Sequence, residues 1–426
     1  MVSSNLERNQ IYQDSELSWL GEVPAVWKLN RHKDNFSFIS DRCTNPLLTK
    51  VGLENIESKT GRFIESDSEF DGDGVHFKIK DILFGKLRPY LAKVYLAEFE
   101  GNAIGDIFVY RTKKSISPRY ASYLMLSDRY IDVINSSTSG AKMPRVSSDF
   151  IANLAVAVPS KEEQSQIVGY LDAKTEKIRS AIDLLSQKAE RYRKLKQSLI
   201  NESVTRGLDK TVAMKDSGIE WIGEVPTHWG VNRIADIAKQ NKIKNIGTLE
   251  KNLLSLSYGR IIRKDFNSSF GLLPESFETY QIVKQGSIIL RLTDLQNDQK
   301  SLRVGHVSEK GIITSAYLGL VFSKKINSKF AYYLLHVFDL CKVFYWFGGG
   351  LRSTMRYEDV KIIPFIIPPL IEQKVIADYL DDKTAKIDQV VVTINDQIEK
   401  LKELRKTLIN DVVTGKIKVT NEGLAA

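Results

Sequence analysis

The chain has 426 residues, with 61 Lys+Arg against 52 Asp+Glu, a formal net charge of +9 and a pI near 9.1. With 42% hydrophobic and 27% charged residues, it is neither collagen-like nor wholly disordered, and its length calls for more than one core, since single cores stop growing near roughly 250–300 residues. Cys43 and Cys341 are its two cysteines and form no Cys-x-x-Cys, which excludes a disulfide scaffold and a thiolate zinc site. The N-terminal stretch is polar and without a signal-peptide core. The longest apolar run, Ile362 to Ile371, is interrupted by Pro364, Pro368 and Pro369 and falls far short of the ~18 residues of a membrane span. A cytoplasmic setting is expected.

In chain order, the first feature is a leading segment, Asp14 to Arg31, reading DSELSWLGEVPAVWKLNR. It returns as Asp216 to Arg233, DSGIEWIGEVPTHWGVNR, with 10 of 18 positions identical. Trp19/Trp221 and Trp27/Trp229 are among them. In a turn-like, apolar setting these tryptophans read as packing residues rather than ligand contacts. A globular stretch follows each copy. Runs such as Asp81–Phe84, Ile107–Tyr110, Ser287–Leu290 and Leu318–Phe322 are predicted strands. Pro118–Asp132 and Ser328–Val343 are predicted helices.

A second repeated block closes each globular stretch: PSKEEQSQIVGYLDAKTEKI from Pro159 and PPLIEQKVIADYLDDKTAKI from Pro368. Each opens a long helix. Ile178, Ile182, Leu185, Ala189 and Tyr192 recur at helical spacing, and Ile387, Val391, Ile394, Ile398 and Leu401 repeat them 209 residues later. That is the apolar seam of a coiled coil, with Gly207 and Gly415 near the stops. Gln164 to Asn201 would span about 57 Å at roughly 1.5 Å per residue. The expected fold is α+β: two α/β-type globular domains and two long helices, pairing antiparallel as a coiled coil that separates them, in a pseudo-two-fold tandem duplication. The expected domains are 1–158, a helix over 159–209, a second domain over 210–367, and a second helix with tail over 368–426. Divided this way the charge is uneven: 1–158 is neutral and 210–367 carries +8.

Catalytic signatures are missing from the sequence. It has no Gly-x-x-x-x-Gly-Lys-[Ser/Thr] loop, the nearest run Gly348-Gly349-Gly350-Leu351-Arg352-Ser353-Thr354 lacking the lysine. It has no Gly-x-Ser-x-Gly elbow. His32, His76, His228, His306 and His336 are scattered, so no metal pair is expected. A duplicated chain of this kind reads as a recognition subunit rather than an enzyme.

The duplicated Asp-Ser-x-(Ile/Leu)-x-Trp-(Ile/Leu)-Gly-Glu-Val-Pro-x-x-Trp segments, the Glu-Gln…Tyr-Leu-Asp-x-Lys-Thr-x-Lys-Ile helix starts and the Leu-Ile-Asn…Val-Thr helix ends together resemble the specificity (S) subunits of type I restriction–modification enzymes. The resemblance covers nearly the whole chain. It implies two target-recognition domains, each reading half of a bipartite DNA target. It also implies a helix pair that sets the spacer and docks two methyltransferase (M) subunits, with motor-nuclease (R) subunits in the full complex. S-adenosylmethionine, ATP and Mg²⁺ would then belong to partner subunits, and this chain would bind none of them. A modification-only recognition subunit without a nuclease partner, or a coiled-coil adaptor, are the alternatives.

Base readout needs donors at groove edges together with phosphate contacts. In the first domain, Lys86, Arg88 and Tyr90 leave a predicted strand. In the second, an offset of 205 sets Arg291 against Lys86 and Thr293 against Arg88, with Gln296 after them. A further candidate precedes each exit strand: Lys142 and Arg145 in one copy, Arg352 and Arg356 in the other. The glycines there allow close backbone approach and the cations suit phosphates. The basic runs Arg191–Lys196 and Lys400–Lys406 are expected to be solvated helix faces or M-subunit contacts.

Overall fold

A computed structural model describes residues 11–43, 45, 47–66, 72–140, 142–264, 276–296, 298, 302–346 and 354–419. The chain forms two compact units, one of Met1–Ser186 with Asn395–Ala426 and one of Gln187–Ile394. The long helices are Lys161–Arg206 (46 residues) and Leu370–Val413 (44 residues). The first starts earlier than the seam alone indicates, because the Ser160 hydroxyl caps it by accepting from Glu163 N. It ends at Gly207, whose φ of +74° is the left-handed stop that favours glycine. Gly415 at +75° closes the second.

Each helix contributes to both units. In the first unit, Ile167, Tyr170 and Leu171 of the first helix share a core with Ile409, Val412 and Val413 of the second. In the second unit, Ile200 and Val204 share a core with Ile376, Ala377 and Leu380. The start of one helix thus lies beside the end of the other, and the pairing is antiparallel. Helices of this length do not persist alone; the amphipathic face needs a neighbour.

In the first unit, four antiparallel strands run in the order Phe36–Ile39, Ile107–Thr112, Ile82–Gly85, Val94–Leu96. Successive side chains alternate between faces. Ile82 and Phe84 enter the core shared with the helices, while Leu83 enters a second core with Val51, Phe77 and Ala103. The second face is covered by another four-stranded sheet, Arg42–Cys43, Gly74–Phe77, Gly101–Ala103 and Thr49–Val51. The second unit repeats the first sheet as Ala238–Gln240, Leu318–Phe322, Ile288–Leu290 and Val304–His306.

The predicted helix Pro118–Asp132 is two helices, Pro118–Leu126 and Asp128–Ser136. Ser127, with extended ψ of 144°, ends one and begins the other. The predicted Ser328–Val343 helix stops at Leu340, and Lys342 takes a φ of +61° before a short turn Val343–Trp346. No helix among the described residues is long and apolar enough to cross a membrane.

Candidate nucleic-acid interface

The central strand of the first unit ends at Gly85, and the chain then turns sharply. Lys86 N donates to the Asp106 carbonyl at 2.9 Å, Arg88 N to that of Pro144 at 2.8 Å, and Val146 N to that of Lys86 at 3.1 Å. Arg88 is held left-handed at φ 50°, ψ 62°. Ser139 and Arg145 exchange backbone hydrogen bonds at 3.0 and 3.1 Å, closing a turn whose Lys142 is exposed. The two candidate stretches, far apart in sequence, therefore form one surface.

The charges on that surface are unequal. Asp106 receives both Arg145 (3.0 Å) and Lys86 (3.7 Å), so two candidate cations share one carboxylate. Arg88 and Lys142 are exposed and have no ion pair among the described residues. Tyr90 is 47% exposed and turns toward the second helix, lining a cavity of about 480 Å³ with Asp128, Lys402 and Lys406.

The second unit is built alike, with one correction in register. Ile82 pairs with Leu96 and Tyr110, and Ile288 pairs with His306 and Leu320. These ladders make the offset 206, so Arg291 matches Gly85, and Arg88 matches Asp294, which is also left-handed at φ 56°. The sequence offset of 205 is one residue out. In extended chain that slip exchanges the faces, and Arg291 and Thr293 are not counterparts of Lys86 and Arg88. Arg291 instead pairs with Asp298 at 3.3 Å. Gln296 is exposed. Met355 N donates to the Leu292 carbonyl at 3.0 Å, which brings the exit stretch onto this loop as in the first unit. Arg356 is exposed and its N donates to Asp359 at 2.7 Å. Arg352 and the glycine run 348–350 lie outside the described residues.

Sequence reasoning missed the residue that shapes this loop. Arg303 is fully buried. Its guanidinium donates to the carbonyls of Arg291 (3.0 Å), Thr293 (2.9 Å), Asp294 (3.3 Å) and Asp298, and its Nε to the Tyr345 hydroxyl at 3.0 Å. The loop 291–298 is wrapped around one cation whose five donors are used to fix backbone shape. An arginine leading into an apolar strand carries no local sign of this, because its partners are carbonyls with no sequence signature.

The repeated motif residues fasten each unit to its helix. Gln164 is fully buried. It accepts from Ser117 N at 2.7 Å and donates to the carbonyls of Ser115 and Pro159, both at 3.0 Å. Gln373 does the same to Asn327, Lys325 and Pro368. Tyr123 donates to Asp172 at 2.6 Å and meets Thr175; Tyr333 donates to Asp381 at 2.8 Å and meets Thr384. Burial pushes the Tyr123 phenol up to about 12. Trp27 is buried and donates to Glu163 at 3.0 Å, and Trp229 is buried beside Gly207. Both therefore act in packing.

Along the seam, Ile178, Ala189, Ile394 and Ile398 are buried, while Ile182, Leu185, Tyr192, Ile387, Val391 and Leu401 are half-buried. In the basic runs, Lys196 pairs with Asp388 at 2.7 Å, Lys402 with Glu399 at 2.8 Å and Lys406 with Asp128 at 3.2 Å. Among the described residues no group of three His, Cys, Asp or Glu is placed to hold a metal. His32 stacks on Phe36 and burial lowers it to about 3. Burial lowers His336 to about 4.

The chain matches the model of the type I restriction modification DNA specificity domain twice, over residues 34–186 and 226–400. It is 24% identical to the type I restriction enzyme MjaVIII specificity subunit of Methanocaldococcus jannaschii, covering 94% of this chain and 95% of the relative. A solved chain described for complex assembly and conformational transition of the type I R-M system superposes with a TM-score of 0.68 at 16% identity, covering 92% of this chain and 98% of that one. The HsdS subunit from Thermoanaerobacter tengcongensis gives 0.50 at 16% identity, with the same coverage.

Proposed function

The chain belongs to the family of type I restriction modification DNA specificity domains, two of which it carries, and from that premise we propose that each unit reads one half of a bipartite DNA target. The observation that carries this reading is the repeated loop pair: in both units the turn after the central strand is bonded to the stretch before the exit strand. In the first unit Arg88 and Lys142 serve the phosphates and Lys86 and Arg145, oriented by Asp106, serve base edges or register. In the second, Arg291, Thr293 and Gln296 stand on a loop whose shape Arg303 sets, with Arg356 on the stretch bonded to it; Arg352 is a further phosphate contact in this reading.

The chain performs no catalysis. The helix pair docks two methyltransferase subunits and sets the unread spacer between the half-sites. Motor-nuclease subunits join the full complex, and S-adenosylmethionine, ATP and Mg²⁺ are bound by those partners in the cytoplasm. The test is a map of methylated adenines in a host carrying this chain with its methyltransferase partner. A bipartite motif with a constant spacer is expected; methylation without one refutes the reading.

A further inference from the structure

The two units differ at one matched place, where a turn meets the long helices. In the second unit the turn Tyr258-Gly259-Arg260 has Gly259 at φ +75°, and a Cβ there would meet the Val304 carbonyl. In the first unit Thr60-Gly61-Arg62 has Gly61 at φ +73°, and a Cβ there would meet the Val94 carbonyl. Val94 and Val304 are matched by the strand ladders, so Arg62 and Arg260 are counterparts. The helix repeat of 209 makes Arg405 the counterpart of Lys196 and Arg179 that of Asp388.

In the second unit the charges close on themselves. Lys196 Nζ lies 2.7 Å from both oxygens of Asp388, and Arg260 Nη2 lies 3.0 Å from one of them. In the first unit the carboxylate is replaced by arginine. Arg62, Arg179 and Arg405 line one cavity of about 570 Å³ together with Arg119. The acidic groups around it are largely engaged. Asp172 takes Arg119 and Tyr123, Glu176 takes Arg179, and Glu57 takes the Thr60 hydroxyl at 2.6 Å; Glu98 stands exposed at the rim. Arg62 and Arg405 have no ion pair among the described residues; Arg405 donates to the Lys59 carbonyl at 3.4 Å. Burial lowers the Arg405 pKa; the charge of Glu57 raises it, and the charge of Arg62 lowers it by less than Glu57 restores.

We propose that this cavity of the first unit binds a phosphate group, which takes the place that the Asp388 carboxylate holds in the second. Two guanidinium forks lining one cavity match the non-bridging oxygens of a phosphate group, monoester or diester, by paired hydrogen bonds, and the volume lies in the range of small-ligand sites, roughly 300–1,000 Å³. The phosphate is carried either by a free small compound or by a DNA strand; the chemistry of the site is the same.

The test follows thermal unfolding of the full chain while inorganic phosphate is titrated against chloride at matched ionic strength. The parent is expected to gain about 5 °C at saturation. Arg179→Asp, which installs the second unit's residue at an exposed helix position, should lose most of that response, as should Arg62→Ala. No phosphate-specific gain in the parent, or an equal gain in both variants, overturns the proposal. Duplex binding with and without phosphate then separates the sources. Competition that disappears in Arg179→Asp assigns the site to the DNA backbone; its absence, with the thermal response intact, assigns it to a free phosphorylated compound.

Discussion

Replacing Arg303 by leucine removes the cation around which the loop 291–298 is wrapped. Four backbone carbonyls and the Tyr345 hydroxyl lose a charged donor at once. These acceptors are partly accessible, so water recovers some of the loss, and about 1 kcal/mol for each is a reasonable measure. The sum, about 4–5 kcal/mol, is a large part of the ~5–15 kcal/mol that holds a domain folded. Asp339 adds to it. Its carboxyl is pushed up by burial and held down by the Arg303 N–H and charge, so it protonates more readily in the variant. For a unit of this size a loss of that magnitude lowers Tm by roughly 8–20 °C. Arg303→Lys keeps the charge but not the planar fork, and should recover about half of the loss. The assay is thermal unfolding of the full chain, followed by methylation mapping with the partner methyltransferase. The expected result is a depressed transition, with relaxed preference confined to the half-site that the second unit reads. A leucine variant within about 2 °C of the parent, or one that is destabilised but keeps its half-site preference, refutes the claim that Arg303 shapes a reading loop.

Arg88→Ala and Lys142→Ala should each reduce the salt dependence of DNA binding by about one unit of log–log slope, whereas Arg145→Ala, whose charge Asp106 already engages, should change the slope by less; identical slopes in all three would undo this ranking. His32 is held near 3 in the folded chain by burial, against about 6.5 unfolded. The unfolded chain therefore binds one more proton between those values, and stability falls as pH drops below 6.5 by about 1.4 kcal/mol per pH unit until near pH 3. His32→Phe should flatten that acid limb by one proton, measured as denaturation midpoints at pH 7 and 5; an unchanged slope counts against it.

Much of the architecture was legible because it is written in one dimension. The leading segments repeat residue for residue, and the seam from Ile178 to Tyr192 returns 209 positions later. Strand positions such as Leu318–Phe322 matched the apolar run. Two helices were drawn too long because their breaks, at Ser127 and Lys342, rest on backbone angles that neither residue announces. The candidate stretches could be named from the sequence, but neither their meeting on one surface nor the pairing of their charges could. Lys86 and Arg145 meet over Asp106, and nothing in the spacing of these three says so. Register failed for a similar reason: an offset counted through loops of unequal length slips by one, and only the hydrogen-bond ladders count correctly.

By itself the sequence determined a duplicated chain of two α/β-type units with two long amphipathic helices, because identity and periodicity survive without coordinates. Only the tertiary structure decided which of the loop cations are engaged and which are exposed, since a charge is paired by whatever lies within about 4 Å of it, and for Lys86, Arg145 and Lys196 that partner is distant in the chain. It turned Arg303 from an ordinary arginine into the centre of a loop. It also distinguished the two units where their sequences look merely similar: the second closes Lys196 and Arg260 on its own Asp388, and the first leaves arginines around a cavity.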